Sequence, residues 1–163
     1  MQPSVDYRAI LRTLCHEGVD FIVVGGVSAV LQGAPLATFD LDVVHSRQPE
    51  NLARLMAALE ELDAHYRIPG RQHMKPGFSH LASEGHQLLM TRFGPLDLLG
   101  VIGRSRDYNQ LLAETEEMEI GGGLRVRVLS LQLLVRSKEE TGQEKDRAAL
   151  PLLRRVLEEK TKS

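Results

Sequence analysis

Near the N-terminus, hydrophobic positions alternate between helical spacing and continuous runs. Residues 4–16 carry their apolar side chains on one helical stripe, and Ser4 is a suitable N-cap for that helix. Residues 21–25 are apolar up to the glycine that ends them, which predicts a strand buried on both faces. The pattern then predicts a short helix over residues 27–31 and a second strand over residues 38–45.

The remaining chain continues this mixture of strands and helices. Pro49 fits the first turn of an amphipathic helix over residues 49–62, and a Pro- and Gly-containing loop follows over residues 66–77. The later predicted elements are three strands at 78–82, 87–92 and 96–99, a short helix at 109–113, a hairpin of 118–120 with 124–129, and helices at 130–140 and 143–159. This order predicts an α+β (α/β-like) fold, with a small mixed sheet flanked by helices and a C-terminal helical extension.

Length and charge refine that picture. The 163 residues suggest one domain, with a sheet core over 1–129 and C-terminal helices over 130–163. The net charge of −2 argues against an obligate nucleic-acid binder, but residues 124–163 carry +4 and residues 1–123 carry −6. This asymmetry fits a cleft with metals on one wall and phosphates on the other, or simply a solvated helix of mixed charge.

Cysteine content and hydropathy bear on the compartment. The single cysteine excludes an internal disulfide and fits a reducing cytoplasm. No apolar run is long enough to span a bilayer, so we expect no membrane partner. The sequence therefore predicts a cytoplasmic protein.

Two aspartates on the second predicted strand are the first candidates for chemistry. Asp40 and Asp42 are two positions apart and therefore project to one face of a strand, whereas Leu41 and Val43 project to the other. Two adjacent carboxylates repel each other unless a cation lies between them. A hard divalent cation such as Mg²⁺ prefers oxygen ligands of this kind.

The order of these motifs resembles the nucleotidyltransferase superfamily with the DNA polymerase β-like fold. Its signature is a hydrophobic strand ending in Gly-Gly, a helix, an Asp-x-Asp strand and a third carboxylate on a later strand. The matching residues are Gly25-Gly26, then Asp40 and Asp42, and then Asp97 in Gly-Pro-Leu-Asp-Leu-Leu. A solvated aspartate at a strand end is the alternative for Asp97.

The chain further resembles the small bacterial nucleotidyltransferases that include toxin-type enzymes of toxin–antitoxin pairs. The likeness runs from about residue 21 to the C-terminal helix. The matching positions are Gly25, Gly26, Ala29, Gly33, Thr38, Asp40, Asp42, Lys138, Gly142, Lys145 and Asp146. Two positions depart from the pattern, because Leu36 and Gln143 stand where that branch usually has arginine.

The resemblance implies a metal centre with two ions, Mg²⁺ or Mn²⁺. Asp40 and Asp42 would bind both ions. Asp97 would complete the coordination of the ion beside the attacking hydroxyl, and Asp97 could also act as general base there. Gly25 and Gly26 would let backbone amides approach the triphosphate.

Three further residues are candidate nucleotide contacts. Ser28 could donate its hydroxyl to a phosphate, although helix capping is an equal alternative. Lys138 and Lys145 could close over the phosphates from the C-terminal helices, with a solvated helix surface as the alternative for each.

The function implied is transfer of a nucleoside monophosphate from a nucleoside triphosphate to a hydroxyl or phosphate acceptor. The acceptor could be tRNA, a protein or a small molecule such as an aminoglycoside. A basic loop around His73 could contact RNA, although a simple connection is the preferred interpretation. The alternative function is a catalytically weakened nucleotide-binding or regulatory module, such as an antitoxin-like partner protein. Leu36 and Gln143 favour the alternative, and the complete carboxylate set favours the enzyme.

Overall fold

The computed structural model describes residues 6–141 and 144–162, without the side chains of 141, 144–147 and 162. Its helices are α1 Tyr7–His16, α2 Gly25–Leu31, α3 Pro49–Glu61, α4 Phe78–Ala82, α5 Tyr108–Leu111, α6 Leu131–Thr141 and α7 Glu144–Lys162, with a 3₁₀ turn at Leu112–Glu114. Its strands are β1 Phe21–Val24, β2 Leu41–His45, β3 His65–Tyr66, β4 His86–Thr91, β5 Gly94–Leu99, β6 Thr115–Glu119 and β7 Arg125–Leu129.

Within the described residues, the seven strands form one mixed sheet in the order β3-β4-β5-β2-β1-β7-β6. Strand β1 is antiparallel to β2 and parallel to β7, and β2 is parallel to β5. Strand β1 is an interior strand whose two faces are both covered by helices, which explains why its sequence is apolar throughout.

The two faces of the sheet support separate hydrophobic clusters. On one face, Phe21 and Val23 pack in a cluster with α1 and α3. On the other face, Ile22 and Val24 pack in a cluster with α6 and α7. Alternate side chains of β1 thus pack against helices on opposite faces of the sheet, as the two-residue period of a strand requires.

The C-terminal helical extension was predicted correctly, since α6 and α7 follow the hairpin of β6 and β7. The hairpin turns through three glycines with positive φ, Gly121, Gly122 and Gly123. In the described part of the chain, no helix is both long enough and apolar enough to cross a membrane.

Residues 78–82 were predicted as a strand and form helix α4 instead. Leu81 is the buried residue of this segment and Phe78 is 48% exposed, so little of the segment meets the core. The Gly77 N–H donates to His80 Nδ1 at 3.0 Å, which caps the start of the helix. A five-residue segment is too short for its hydrophobic period to distinguish a helix from a strand.

Two predicted element boundaries were also wrong. Helix α1 begins at Tyr7, because Asp6 Oδ1 accepts a hydrogen bond from the Ala9 N–H at 3.1 Å and is the N-cap. The predicted cap, Ser4, lies outside the described residues. Strand β2 begins at Leu41 rather than at residue 38, so Asp40 lies in a bend just before the strand.

Candidate functional site

The three predicted carboxylates come together at the centre of the sheet. Asp42 of β2 is directly paired with Asp97 of β5, and Asp40 immediately precedes β2. One carboxylate oxygen from each of the three lies within 4.8 Å of the others. Because Leu41 and Val43 belong to the α1/α3 cluster, Asp42 projects to the opposite face, the one covered by α6 and α7.

The glycine turn after β1 fits closely against this cluster. Gly25 has a φ of +66°, and a Cβ added there would collide with Asp42 Oδ2. Gly26 lies near the segment before Asp40 with slightly more room, since its added Cβ would be 3.1 Å from Thr38 Oγ1. Thr38 Oγ1 in turn donates to the Asp40 carbonyl at 3.1 Å. The two glycines therefore give the carboxylates room that a side chain would fill.

An open cavity of about 510 Å³ extends from Asp40 and Asp42 towards α6, and Asp97 is not among the residues that line it. Asp40 and Asp42 line it together with the apolar residues Leu99 and Leu134. Phe39 also lines it and is 67% exposed, an unusual position for an aromatic side chain next to acidic residues. The cavity therefore offers a polar, acidic end and an apolar wall to a bound molecule.

Arg67 contacts the carboxylates from the other side, and the sequence analysis did not identify it. Its Nη1 lies 2.6 Å from Asp97 Oδ1, and its Nη2 lies 4.0 Å from Asp40 Oδ2. Nη1 also donates to the Leu89 carbonyl at 2.8 Å. The contact with Asp97 is a close ion pair rather than an aligned hydrogen bond, because the buried Oδ1 has no hydrogen-bond partner among the described residues. No spacing in the sequence links position 67 to the aspartates; only the pairing of β3 and β4 brings it there.

The donor set fits a divalent metal. Three carboxylates provide the hard oxygen ligands that Mg²⁺ or Mn²⁺ accepts, and the missing Cβ of Gly25 leaves space beside Asp42. Asp97 is 7% exposed, and Arg67 brings only one positive charge to the three carboxylates, so a bound cation would compensate the charge that remains.

Comparison with known proteins places this arrangement in a wider context. No family model and no curated protein matches the sequence. A Thermotoga maritima protein proposed to be a nucleotidyltransferase matches in structure, with a TM-score of 0.57, 20% identity and coverage of 94% of this chain and 91% of that one. The antibiotic-resistance factor ANT(2″)-Ia in solution gives a TM-score of 0.61 and 15% identity over 93% of this chain and 82% of its own. The crystal structure of ANT(2″)-Ia with adenylyl-2″-tobramycin gives a TM-score of 0.60 and 15% identity, over 93% of this chain and 87% of its own.

The chain has the nucleotidyltransferase fold. The matches extend over nearly the whole chain, which confirms the predicted α+β fold class with its mixed sheet. At 15–20% identity they establish the fold alone, so the roles of individual residues have to be argued from the local geometry.

On this nucleotidyltransferase fold, the residues predicted to bind nucleotide fall into three groups. Gly25, Gly26 and Lys138 line the cavity beside the carboxylates. Ser28 does not, because it is fully buried and its Oγ donates to the Leu129 carbonyl at 3.1 Å. Ser28 therefore anchors α2 to the end of β7, and its interpretation as a phosphate contact is corrected. The side chain of Lys145 lies outside the described residues, as does Gln143.

Leu36 takes a structural position. It packs, partly buried, against the hydrophobic cluster that α6 and α7 form with the sheet. It is absent from the residues that line the cavity. Leu36, where the resemblance predicts an arginine, therefore packs as part of the hydrophobic core.

An ion pair fixes the helix that carries Lys138. Arg106 and Glu140 form two contacts, Nη1 to Oε2 at 2.8 Å and Nη2 to Oε1 at 2.6 Å. The Arg106 guanidinium holds the pKa of the Glu140 carboxyl below its usual value. Only 12% of the Glu140 side chain is exposed, so the pair joins α6 firmly to the loop that follows β5. Ile102 and Gly103 of that loop line the cavity.

Proposed function

We propose that this protein is a metal-dependent nucleotidyltransferase that moves a nucleoside monophosphate from a nucleoside triphosphate to a hydroxyl or phosphate acceptor. One observation carries the proposal: three carboxylates, Asp40, Asp42 and Asp97, converge within 4.8 Å, and Asp40 and Asp42 also line a cavity. Arg67 compensates only one of the three negative charges, so the set still favours a bound cation, and phosphoryl transfer requires such a cation.

The carboxylates would hold Mg²⁺ or Mn²⁺, and we propose two ions. Asp40 and Asp42 would bind both, and Asp97 would bind one. The bound ions would supply neutralisation of the charge that develops on the transferred phosphate. The paired register of β2 and β5 keeps Asp42 and Asp97 in fixed positions, which is the contribution that the chain itself makes to alignment.

The nucleotide would lie in the cavity, with its triphosphate towards the carboxylates. Gly25 and Gly26 line this part of the cavity and leave the backbone accessible, since neither has a side chain. Lys138 lies on α6 and also lines the cavity, so it is the cation that we propose to contact the phosphates. Lys145 remains a proposed contact from α7. The base would meet the apolar wall that includes Leu99.

We propose that the acceptor is a hydroxyl of a small molecule, in preference to tRNA or a protein side chain. The support is the fold shared with ANT(2″)-Ia, whose crystal structure contains adenylyl-2″-tobramycin. A cavity of about 510 Å³ is large enough for a nucleotide and still open to an acceptor. Membership of a toxin–antitoxin pair, and a partner protein with it, remains a prediction.

A direct transfer assay tests the proposal. Purified protein would be incubated with each α-labelled nucleoside triphosphate and Mg²⁺, and offered polyhydroxylated amines, tRNA or total cell extract. We expect label on one acceptor class, with loss of transfer in EDTA and in Asp97→Asn. Thermal melting with Mg²⁺ and each triphosphate would run in parallel, because a ligand that binds the native state raises its melting temperature.

The alternative is the catalytically weakened nucleotide-binding or regulatory module. It predicts that a triphosphate raises the melting temperature while no acceptor is labelled in extract. The packing of Leu36 in the core removes one argument for this alternative, since that position does not line the cavity.

A further inference from the structure

We infer that Arg67 is a fixed counter-charge of the carboxylate triad, which weakens metal binding until a nucleotide is present. The inference rests on the proposed function, because it concerns the same metal centre. It assigns to Arg67 a positioning role and not a contact with the reacting atoms.

The geometry places the guanidinium against two of the three proposed metal ligands. Arg67 Nη1 is 2.6 Å from Asp97 Oδ1, and Nη2 is 4.0 Å from Asp40 Oδ2. A cation that binds the same carboxylates has to lie close to this guanidinium and share the carboxylate groups with it, or displace it.

Arg67 is also held in place by groups other than the aspartates. Its Nη1 donates to the Leu89 carbonyl at 2.8 Å, and its backbone N–H donates to the Leu88 carbonyl at 3.2 Å. Its side chain is only 26% exposed. The contacts with β4 therefore keep the charge at the site, unlike the charge of a solvated surface arginine.

The charge has two opposite consequences. An arginine does not lose its proton in a protein, so it partly neutralises the carboxylates at every physiological pH and stabilises the metal-free site. The same charge repels an incoming divalent cation. A triphosphate adds several negative charges and offsets this repulsion, so the metal and the nucleotide should bind together more tightly than either binds alone.

The test is a Mn²⁺ titration of the full chain without nucleotide, in which free Mn²⁺ is measured by electron paramagnetic resonance. We expect Arg67→Gln to bind Mn²⁺ roughly tenfold more tightly than the wild type, the size that Coulomb's law gives for a single and a double charge about 5 Å apart in a water-like dielectric. Arg67→Lys keeps a positive charge but not the planar guanidinium. Its Mn²⁺ affinity should lie between those of the wild type and Arg67→Gln. Arg71→Gln is the matched control, because Arg71 is exposed in the same loop, and should bind as the wild type does.

Melting temperatures without metal provide an independent readout. Arg67→Gln should have a lower melting temperature than the wild type in EDTA. Saturating Mn²⁺ should reduce this difference in melting temperature. If that variant does not fold, the decision passes to Arg67→Lys, for which tighter Mn²⁺ binding supports the inference.

Equal or weaker Mn²⁺ binding by the Arg67 variants overturns the inference and leaves the proposed function intact, provided that the wild type binds Mn²⁺ and Asp42→Asn does not. Absence of Mn²⁺ binding by every variant also overturns the inference, and the labelled-transfer assay then decides the proposed function separately.

Discussion

Asp42 and Asp97 occupy directly paired positions on the adjacent parallel strands β2 and β5. The register of this pair determines the site, because a shift of one residue in either strand would turn one carboxylate to the α1/α3 face. Flanking residues fix the register, since Leu41, Val43, Leu96 and Leu98 are all buried in the same hydrophobic cluster. The core thus positions the polar residues between them.

Asp42→Asn should abolish transfer while the fold is retained. Removing one carboxylate relieves repulsion in the metal-free site, so the melting temperature should stay the same or rise slightly. The proposed metal clamp loses a ligand, and we expect the transfer rate to fall by roughly two to three orders of magnitude or more. The assay is transfer of labelled nucleotide beside thermal unfolding, with the exposed Asp63→Asn as control. Wild-type transfer by Asp42→Asn would refute the assignment of this residue.

Gly25→Ala should damage the site as well as the fold. A Cβ at φ +66° costs about 1–2 kcal/mol in the left-handed region, and here it also collides with Asp42 Oδ2. Gly122→Ala is a matched control, because Gly122 has a φ of +60° and its added Cβ meets nothing within 4 Å. Chemical denaturation should show a larger loss of unfolding free energy for Gly25→Ala than for Gly122→Ala. Mn²⁺ binding should weaken only in Gly25→Ala. Equal losses would mean that the close approach to Asp42 has no energetic consequence.

Leu36→Arg should destabilise the protein without tightening nucleotide binding. Leu36 packs against the α6/α7 cluster, and an arginine there places a charge at the edge of an apolar layer. We expect a loss of roughly 1–3 kcal/mol in unfolding free energy. Leu36→Met keeps volume and polarity and should cost less than about 1.5 kcal/mol. Calorimetric titration with a triphosphate and Mg²⁺ completes the test, and tighter binding by Leu36→Arg would place this position in the nucleotide site after all.

Breaking the Arg106–Glu140 pair should raise the KM for nucleotide more than it lowers kcat. The pair joins α6, and with it Lys138, to the loop that follows β5. Glu140→Gln keeps the shape of the side chain but removes its charge, so Lys138 should be held less firmly over the cavity. Steady-state kinetics would show the effect, with Glu139→Gln, whose exposed side chain contacts Arg154, as the control. An unchanged KM in Glu140→Gln would show that the pair has no part in nucleotide binding.

His45 should make the protein less stable in mild acid. Burial lowers the pKa of His45 below its usual value of 6.5, against the opposing effect of its contact with the Leu81 carbonyl at 2.8 Å. The folded state therefore binds fewer protons than the unfolded state, so this contribution is complete above about pH 6.5 and is lost as the pH falls towards the lowered pKa. Melting temperatures from pH 7.5 to pH 5 should decline less steeply in His45→Gln. The exposed His73→Gln should keep the wild-type slope.

Part of the candidate site could be predicted from the sequence because its members are close along the chain. Gly25, Gly26, Asp40 and Asp42 lie within one strand–helix–strand unit, where the periods of strands and turns relate them. Asp40 nonetheless lies in the bend before β2, so the two aspartates converge although only Asp42 is on the strand. The two aspartates were correctly predicted to lie close together. The prediction that both of them lie on the strand was wrong for Asp40.

The sequence by itself determined the periodic features: the buried strand β1, the glycine turn, the aspartate pair and most of the succession of helices and strands, with α4 and β3 as exceptions. These depend on neighbouring residues, whose geometry has few alternatives. Tertiary structure alone decided which side chains reach the site from elsewhere. Arg67 reaches Asp97 through the pairing of β4 with β3 and β5, and Ser28 turns away because the Leu129 carbonyl lies within its reach. Contacts between residues thirty or a hundred positions apart depend on the whole packing, and no local period encodes them.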